Sequence, residues 1–176
     1  MRKWVPALIP ALVAGLFNNQ ANAGEINIKA TIPQINTAEY HRPYMAIWIE
    51  KPDQSVQQTL AAWYSQKRAA NGDEGQKWLK DLRQWWRKGG REQTLPIDGV
   101  SGATRPVGEQ SLTFTEGKKP LGTLPPGQYN IAVEAAREKG GREIVRVPFT
   151  WPVQKAEQVK GAGQQEIGNI VVDLKP

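Results

Sequence analysis

Tyr129, Ile131, Val133 and Ala135 follow the turn-forming Pro125-Pro126-Gly127 at strict intervals of two, the spacing of a strand with one buried face. The same period runs through Ile26, Ile28, Ala30 and Ile32 near the other end. Strands patterned this way must bury that face against a second layer, which narrows the fold to packed sheets. Tyr44–Glu50 (YMAIWIE) is dense in strand formers and apolar on both faces, as a central strand would be. KPDQS reads as the turn after it, with Pro52 at the second turn position. Val56, Leu60, Trp63 and Tyr64 also fit a helical stripe, but the preceding strand and turn favour Val56–Tyr64 as the second arm of a hairpin. Ser111–Thr115, then Glu143–Trp151 after Lys139-Gly140-Gly141, and Ile167–Leu174 bring the total to about seven short strands. Asn36–Pro43 and Gln154–Gln165 read as polar loops.

One segment breaks the pattern. Trp78, Leu79, Leu82, Trp85 and Trp86 fall on one stripe at a period near 3.6, which predicts an α-helix over Asp73–Lys88. Asp73 and Glu74 sit in its first turn, Arg87 and Lys88 in its last, and Gly89-Gly90 ends it. The expected fold is therefore mainly β: an immunoglobulin-like β-sandwich of one domain (24–176) with one α-helix inserted at about 73–88. Six tryptophans lie beyond residue 23: Trp48, Trp63, Trp78, Trp85, Trp86 and Trp151. The plainest use of the helical ones is a stripe laid across a sheet. Two sharper uses stay open, a platform for a sugar and a wall for a flavin ring.

The N-terminus sets the compartment. Arg2 and Lys3 precede an apolar run, Trp4–Phe17, and Ala21-Asn22-Ala23 is a small-x-small cleavage site. Residues 1–23 read as a secretory signal peptide cut after Ala23, too short to span a membrane, leaving a soluble periplasmic chain that begins at Gly24. The chain has no cysteine, which excludes disulfides and an acylated cysteine anchor. Removing Arg2 and Lys3 from the formal +6 leaves about +4, too dispersed to argue for nucleic acid.

Catalytic machinery is thin. The lone histidine, His41, lies in a loop, no spacing matches a metal site, and Glu134 and Glu138 read as ordinary acids of a strand and its turn. An enzyme is not expected. DGVSGATRP, Asp98 to Pro106, is the one motif that carries chemistry. Two readings of it stay open. In one, Asp98, Ser101 and Thr104 hydrogen-bond local backbone in a compact turn. In the other, Gly102 and Ala103 leave room for a second protein to close over a hydroxyl.

Asp98-Gly99-Val100-Ser101-Gly102-Ala103-Thr104 resembles the D-x-x-[S/T]-G-A-T flavinylation signal of covalent-FMN subunits in sodium-pumping NADH:quinone oxidoreductase and the related Rnf complex. That resemblance implies covalent FMN on Thr104, attached by an exported FAD:protein FMN transferase, with Asp98, Ser101, Gly102 and Ala103 as recognition residues. Those families continue with an apolar residue and a second Thr or Ser, where this chain has Arg105-Pro106. Arg105 is the candidate partner of the phosphodiester, Trp78, Trp85 and Trp86 are candidates to stack on the ring, and His41 and Tyr44 are candidate neighbours. The long segments HRPYMAIWIE, WLKDLRQWW, DGVSGATRP, LPPGQYNIAVEAAREKGGRE and VPFTW resemble a family of predicted periplasmic proteins, the domain-of-unknown-function family numbered 2271. It implies an export signal, a sandwich-like fold and association with membrane redox proteins and flavin transferases. The competing function is a periplasmic binding or accessory module without cofactor, for a sugar or a protein partner, using at least two exposed Trp and the turn Arg137–Glu143 (REKGGRE).

Overall fold

A computed structural model of the chain describes residues 23–66 and 75–176. The signal segment apart from Ala23, together with Asp73 and Glu74 of the expected helix, lies outside the described residues. Nine strands form among those described: β1 Glu25–Ile32, β2 Tyr44–Glu50, β3 Val56–Tyr64, β4 Ser101–Ala103, β5 Gly108–Thr115, β6 Gly127–Ala136, β7 Arg142–Trp151, β8 Glu157–Ala162 and β9 Asn169–Lys175. They make two sheets, ordered β5-β1-β9-β8 and β4-β3-β2-β6-β7. All neighbours are antiparallel except β4, which runs parallel to β3. The expected mainly β sandwich is what forms.

The alternation places the core. Ile26, Ile28 and Ile32 of β1, Met45, Ile47 and Ile49 of β2, Ile131 and Val133 of β6, and Ile170, Val172 and Leu174 of β9 form one cluster between the sheets. The intervening residues of β2 and β6 point the other way. Ala46, Trp48 and Ala132 join Tyr64, Leu79, Leu82 and Trp85 in a second cluster on the outer face of the five-stranded sheet. That sheet is thus buried on both sides, which is why YMAIWIE carries no polar face. Val56–Tyr64 is a hairpin arm, paired antiparallel with β2.

The helical insertion differs from the expected single α-helix over 73–88. Gly75–Asp81 is a 3-10 helix, and an α-helix, α1, spans only Arg83–Arg87. Leu79, Leu82 and Trp85 are the fully buried residues, three apart, which is the repeat of a 3-10 turn. The tighter winding moves Trp78 off the stripe and leaves it 49% exposed. A carboxylate fixes where α1 starts. Glu134, fully buried on β6, accepts the backbone N–H groups of Gln84 (3.0 Å) and Trp85 (2.9 Å) through Oε2, and Arg142 Nη1 sits 3.0 Å from its Oε1. Expected to be an ordinary strand acid, Glu134 is instead the cap that pins the helical layer to the sheet.

Two further elements went unforeseen. The segment Gln154–Gln165, expected as a loop, contains the edge strand β8, and the SGA of the DGVSGATRP loop is strand β4. The loop following β8 is held by Glu143, whose carboxylate accepts the N–H groups of Gln164, Gln165, Glu166 and Ile167 at 2.6–3.1 Å. Burial pushes the Glu143 carboxyl up, but the four backbone donors together outweigh it and hold it below the usual carboxylate range. A folded-state value below the unfolded one gives stability that is complete above about pH 4.3 and lost as pH falls through the folded value. Thermal melts of Glu143→Gln should therefore show a lower Tm at neutral pH and a shallower acid slope than wild type. Parallel acid slopes for the two proteins would contradict this assignment.

Candidate functional site

The parallel placement of β4 beside β3 builds one end of the five-stranded sheet. A parallel pair needs a crossover, and the helical layer between β3 and β4 supplies it. Tyr64 at the end of β3 then faces Ala103 at the end of β4, Tyr44 at the start of β2 faces Ala136, and Ala136 faces Arg142. These chain ends, with the 40–42 loop and the 137–141 turn, surround a cleft of about 1100 Å³. Thr104 and Ala103 form part of its wall, together with His41, Tyr44 and Trp78. Five of the sequence-chosen candidates (Ala103, Thr104, His41, Tyr44 and Trp78) are therefore brought to one place.

The remaining candidates lie elsewhere. Ser101 ties the turn: its Oγ accepts the Ile97 N–H at 2.9 Å, and its own N–H donates to the Ile97 carbonyl. Gly99, at φ +69°, supplies the left-handed residue of that turn. Asp98 is exposed and does not line the cleft. Gly102 packs on Trp63, where a Cβ would come within 3.2 Å of the indole. The Arg105 guanidinium lies over the same Trp63 ring, 5.1 Å from its centroid, rather than in the cleft wall. Trp85 is buried beneath the helical layer and Trp86 packs against it, so neither reaches the cleft. Of the compact-turn bonding expected for Asp98, Ser101 and Thr104, only that of Ser101 forms. The Thr104 side chain is half-buried and makes no hydrogen bond among the described residues.

The cleft wall is rich in cations. Arg42, Arg83, Arg137, Lys139 and Arg142 line it, against the carboxylates of Asp81 and Glu138, five cations to two acids. Arg137, Lys139 and Arg142 are paired with Glu166, Glu39 and Glu134 respectively. Arg42 and Arg83 have no carboxylate partner among the described residues. His41 sits between two acids, its Nε2 3.0 Å from Glu39 and its Nδ1 3.5 Å from Glu138. Tyr44 donates to the Gly75 carbonyl at 3.1 Å, and burial raises its phenol above the ordinary range, so it stays a neutral donor. Sequence reasoning singled out the turn Arg137–Glu143, which carries Arg137, Lys139 and Arg142, but missed Arg42 and Arg83, which come from two other segments that no local spacing marks.

Trp78 is the one strongly exposed tryptophan among the described residues. Lys77 and Lys80 approach its ring at 5.1 and 5.5 Å. A sugar platform built from two or more exposed tryptophans does not form among the described residues. Iodide should therefore quench one indole in the folded protein, and Trp78→Phe should abolish that quenchable fraction. Quenching that survives the substitution would contradict the placement of Trp78.

No group of three or more metal-binding side chains occurs among the described residues, and no helix there is long and apolar enough to cross a membrane. Neither the curated proteins nor the solved structures contain a match to this chain. A family model does match, over residues 25–169, a span that holds strands β1 to β8 and the cleft, while β9 runs past it. The chain belongs to the DUF2271 family of predicted periplasmic proteins.

Proposed function

We propose that this protein is an exported electron carrier that holds FMN through a phosphoester on Thr104, passing electrons between a membrane redox protein and a periplasmic acceptor. The observation that carries this reading is the position of Thr104, the last residue of Asp98–Thr104, half-buried in the wall of the cleft with its hydroxyl unengaged. In the attachment step, Thr104 Oγ attacks the FMN-side phosphorus of FAD. An O–P bond forms, the bond to the AMP phosphate breaks and AMP leaves, while the hydroxyl proton passes to a base of the transferase. No net oxidation occurs.

The residues present fit such a group. A cleft of about 1100 Å³ is ample for a mononucleotide cofactor. Bound flavin would supply reversible hydride or electron transfer. The chain's own part is to hold and shield. Trp78 presents an exposed indole face for stacking, and Tyr44 keeps a neutral hydroxyl at the wall. The two arginines without a carboxylate partner among the described residues, Arg42 and Arg83, favour a phosphodiester, a role that does not fall to Arg105, which is engaged on Trp63. A tether raises the local concentration of the ring to order millimolar, so weak contacts of this kind suffice. Asp98 and Ala103 remain the exposed surface that an exported FAD:protein FMN transferase would read, with Gly102 packed on Trp63 between them, and residues 1–23 the signal that sends the chain to it. Co-expression with such a transferase should give yellow protein. Colourless protein from the transferase of the native organism would defeat the proposal in favour of an accessory module without cofactor.

A further inference from the structure

The turn Arg137–Glu143 holds a feature that the flavin proposal does not use. Arg137 reaches under Gly140 and Gly141 to Glu166, with Nε 2.9 Å from Oε2 and Nη2 3.0 Å from Oε1. The Gly141 N–H donates to the same carboxylate at 2.7 Å. Both side chains are buried, at 7% and 4% exposure. The glycines are required by this packing. A Cβ on Gly140 would lie 2.4 Å from Arg137 Cζ, and one on Gly141 would lie 2.7 Å from Glu166 Oε1.

The bidentate pair uses two of the three guanidinium nitrogens. Among the described residues, Arg137 Nη1 is left buried and without a partner, and so is the hydroxyl of Tyr40, whose ring lies 6.0 Å from Arg137 Cζ. Two buried donors without acceptors in one wall are unusual, since each costs about 1–3 kcal/mol unless something binds it. Burial raises the Tyr40 phenol above its ordinary range, so it remains a donor. Arg42 adds a third donor group without a carboxylate partner, and its charge reaches the Tyr40 hydroxyl.

We infer that Arg137 Nη1, the Tyr40 hydroxyl and Arg42 form a subsite in the cleft for a phosphate-type oxyanion. Glu166 orients the guanidinium and leaves one N–H edge to spare, and the Gly140-Gly141 turn gives the pair the space to lie beneath it. The anion seats by rotation of side chains at the cleft surface. It then gains charge-assisted bonds from the two guanidinium groups. This subsite shares the cleft of the proposed flavin but does not depend on Thr104 being modified.

The test uses protein purified from a host lacking any flavin transferase, titrated calorimetrically with inorganic phosphate at constant ionic strength. Saturable binding is expected. Tyr40→Phe keeps the ring over Arg137 and removes only the hydroxyl, and should weaken phosphate by about 2- to 10-fold, the effect of one lost hydrogen bond. Arg42→Ala should weaken it by a similar or larger factor. Absence of saturable binding, an equal response to chloride, or wild-type affinity in Tyr40→Phe would each overturn the inference. Because the protein carries no flavin, none of these results bears on Thr104.

Discussion

Glu134→Ala is expected to lower stability by about 3 kcal/mol, a fall in Tm of about 6–12 °C for a domain of this size. The carboxylate is fully buried and takes the N–H groups of Gln84 and Trp85. Removing it leaves both donors without an acceptor under the helical layer. Arg142 loses its partner too, but its side chain is 35% exposed and regains water, which keeps the cost below that of a fully buried ion pair. The damage should be local. Trp85, whose indole donates to Thr59 Oγ1 at 3.2 Å, should lose its buried emission before the sandwich core melts. Glu134→Gln keeps one carbonyl acceptor and should cost less than the alanine change. Wild-type stability in Glu134→Ala would mean that the helical layer is held by apolar packing alone.

The same residue marks the boundary of what the sequence discloses. The strands of the core were legible because each buries one face, or both, and so writes its period into the chain: Ile26 to Ile32, Tyr129 to Ala135, and YMAIWIE. Strand β8 was not, since Glu157–Ala162 lies at a sheet edge with most of its residues exposed and little alternation to read. Strand β4 is three small residues paired in parallel with a strand about forty positions earlier, and nothing local announces that. The helical insertion was found but misjudged in period, because Trp78, Leu79, Leu82, Trp85 and Trp86 satisfy a 3.6 repeat while the folded chain uses Leu79, Leu82 and Trp85.

Buried charge was the least legible feature of all. Glu134 meets Gln84 across 50 positions, Glu50 meets Arg146 across 96, and Glu166 meets Arg137 across 29. Each carboxylate looks like a surface acid until the fold brings its donors to it. The cleft shares that origin. Thr104, Trp78, Tyr44 and His41 could be chosen one by one from motif and residue type, but their meeting at one end of the five-stranded sheet depends on the parallel crossover into β4.

The second large effect concerns Thr104. Its hydroxyl is the only atom of the side chain that can enter a phosphoester, and it makes no bond that the fold needs among the described residues. Thr104→Val is nearly isosteric at a half-buried position, so stability should change by less than about 0.5–1 kcal/mol. Flavin attachment, in contrast, should fall to nothing rather than by a factor. Ser101→Ala is the informative companion. Its Oγ accepts the Ile97 N–H that shapes the turn, so it should lower attachment and stability together. Trp78→Ala should leave attachment intact and loosen the ring, read as higher flavin fluorescence.

Intact mass is the most direct measurement of the central claim. Protein purified from the periplasm of cells that express the native organism's flavin transferase should carry the added mass of one esterified FMN, and Thr104→Val from the same cells should show only the polypeptide. The wild-type protein at its bare polypeptide mass, or a Thr104→Val variant that still carries the flavin, would contradict the account.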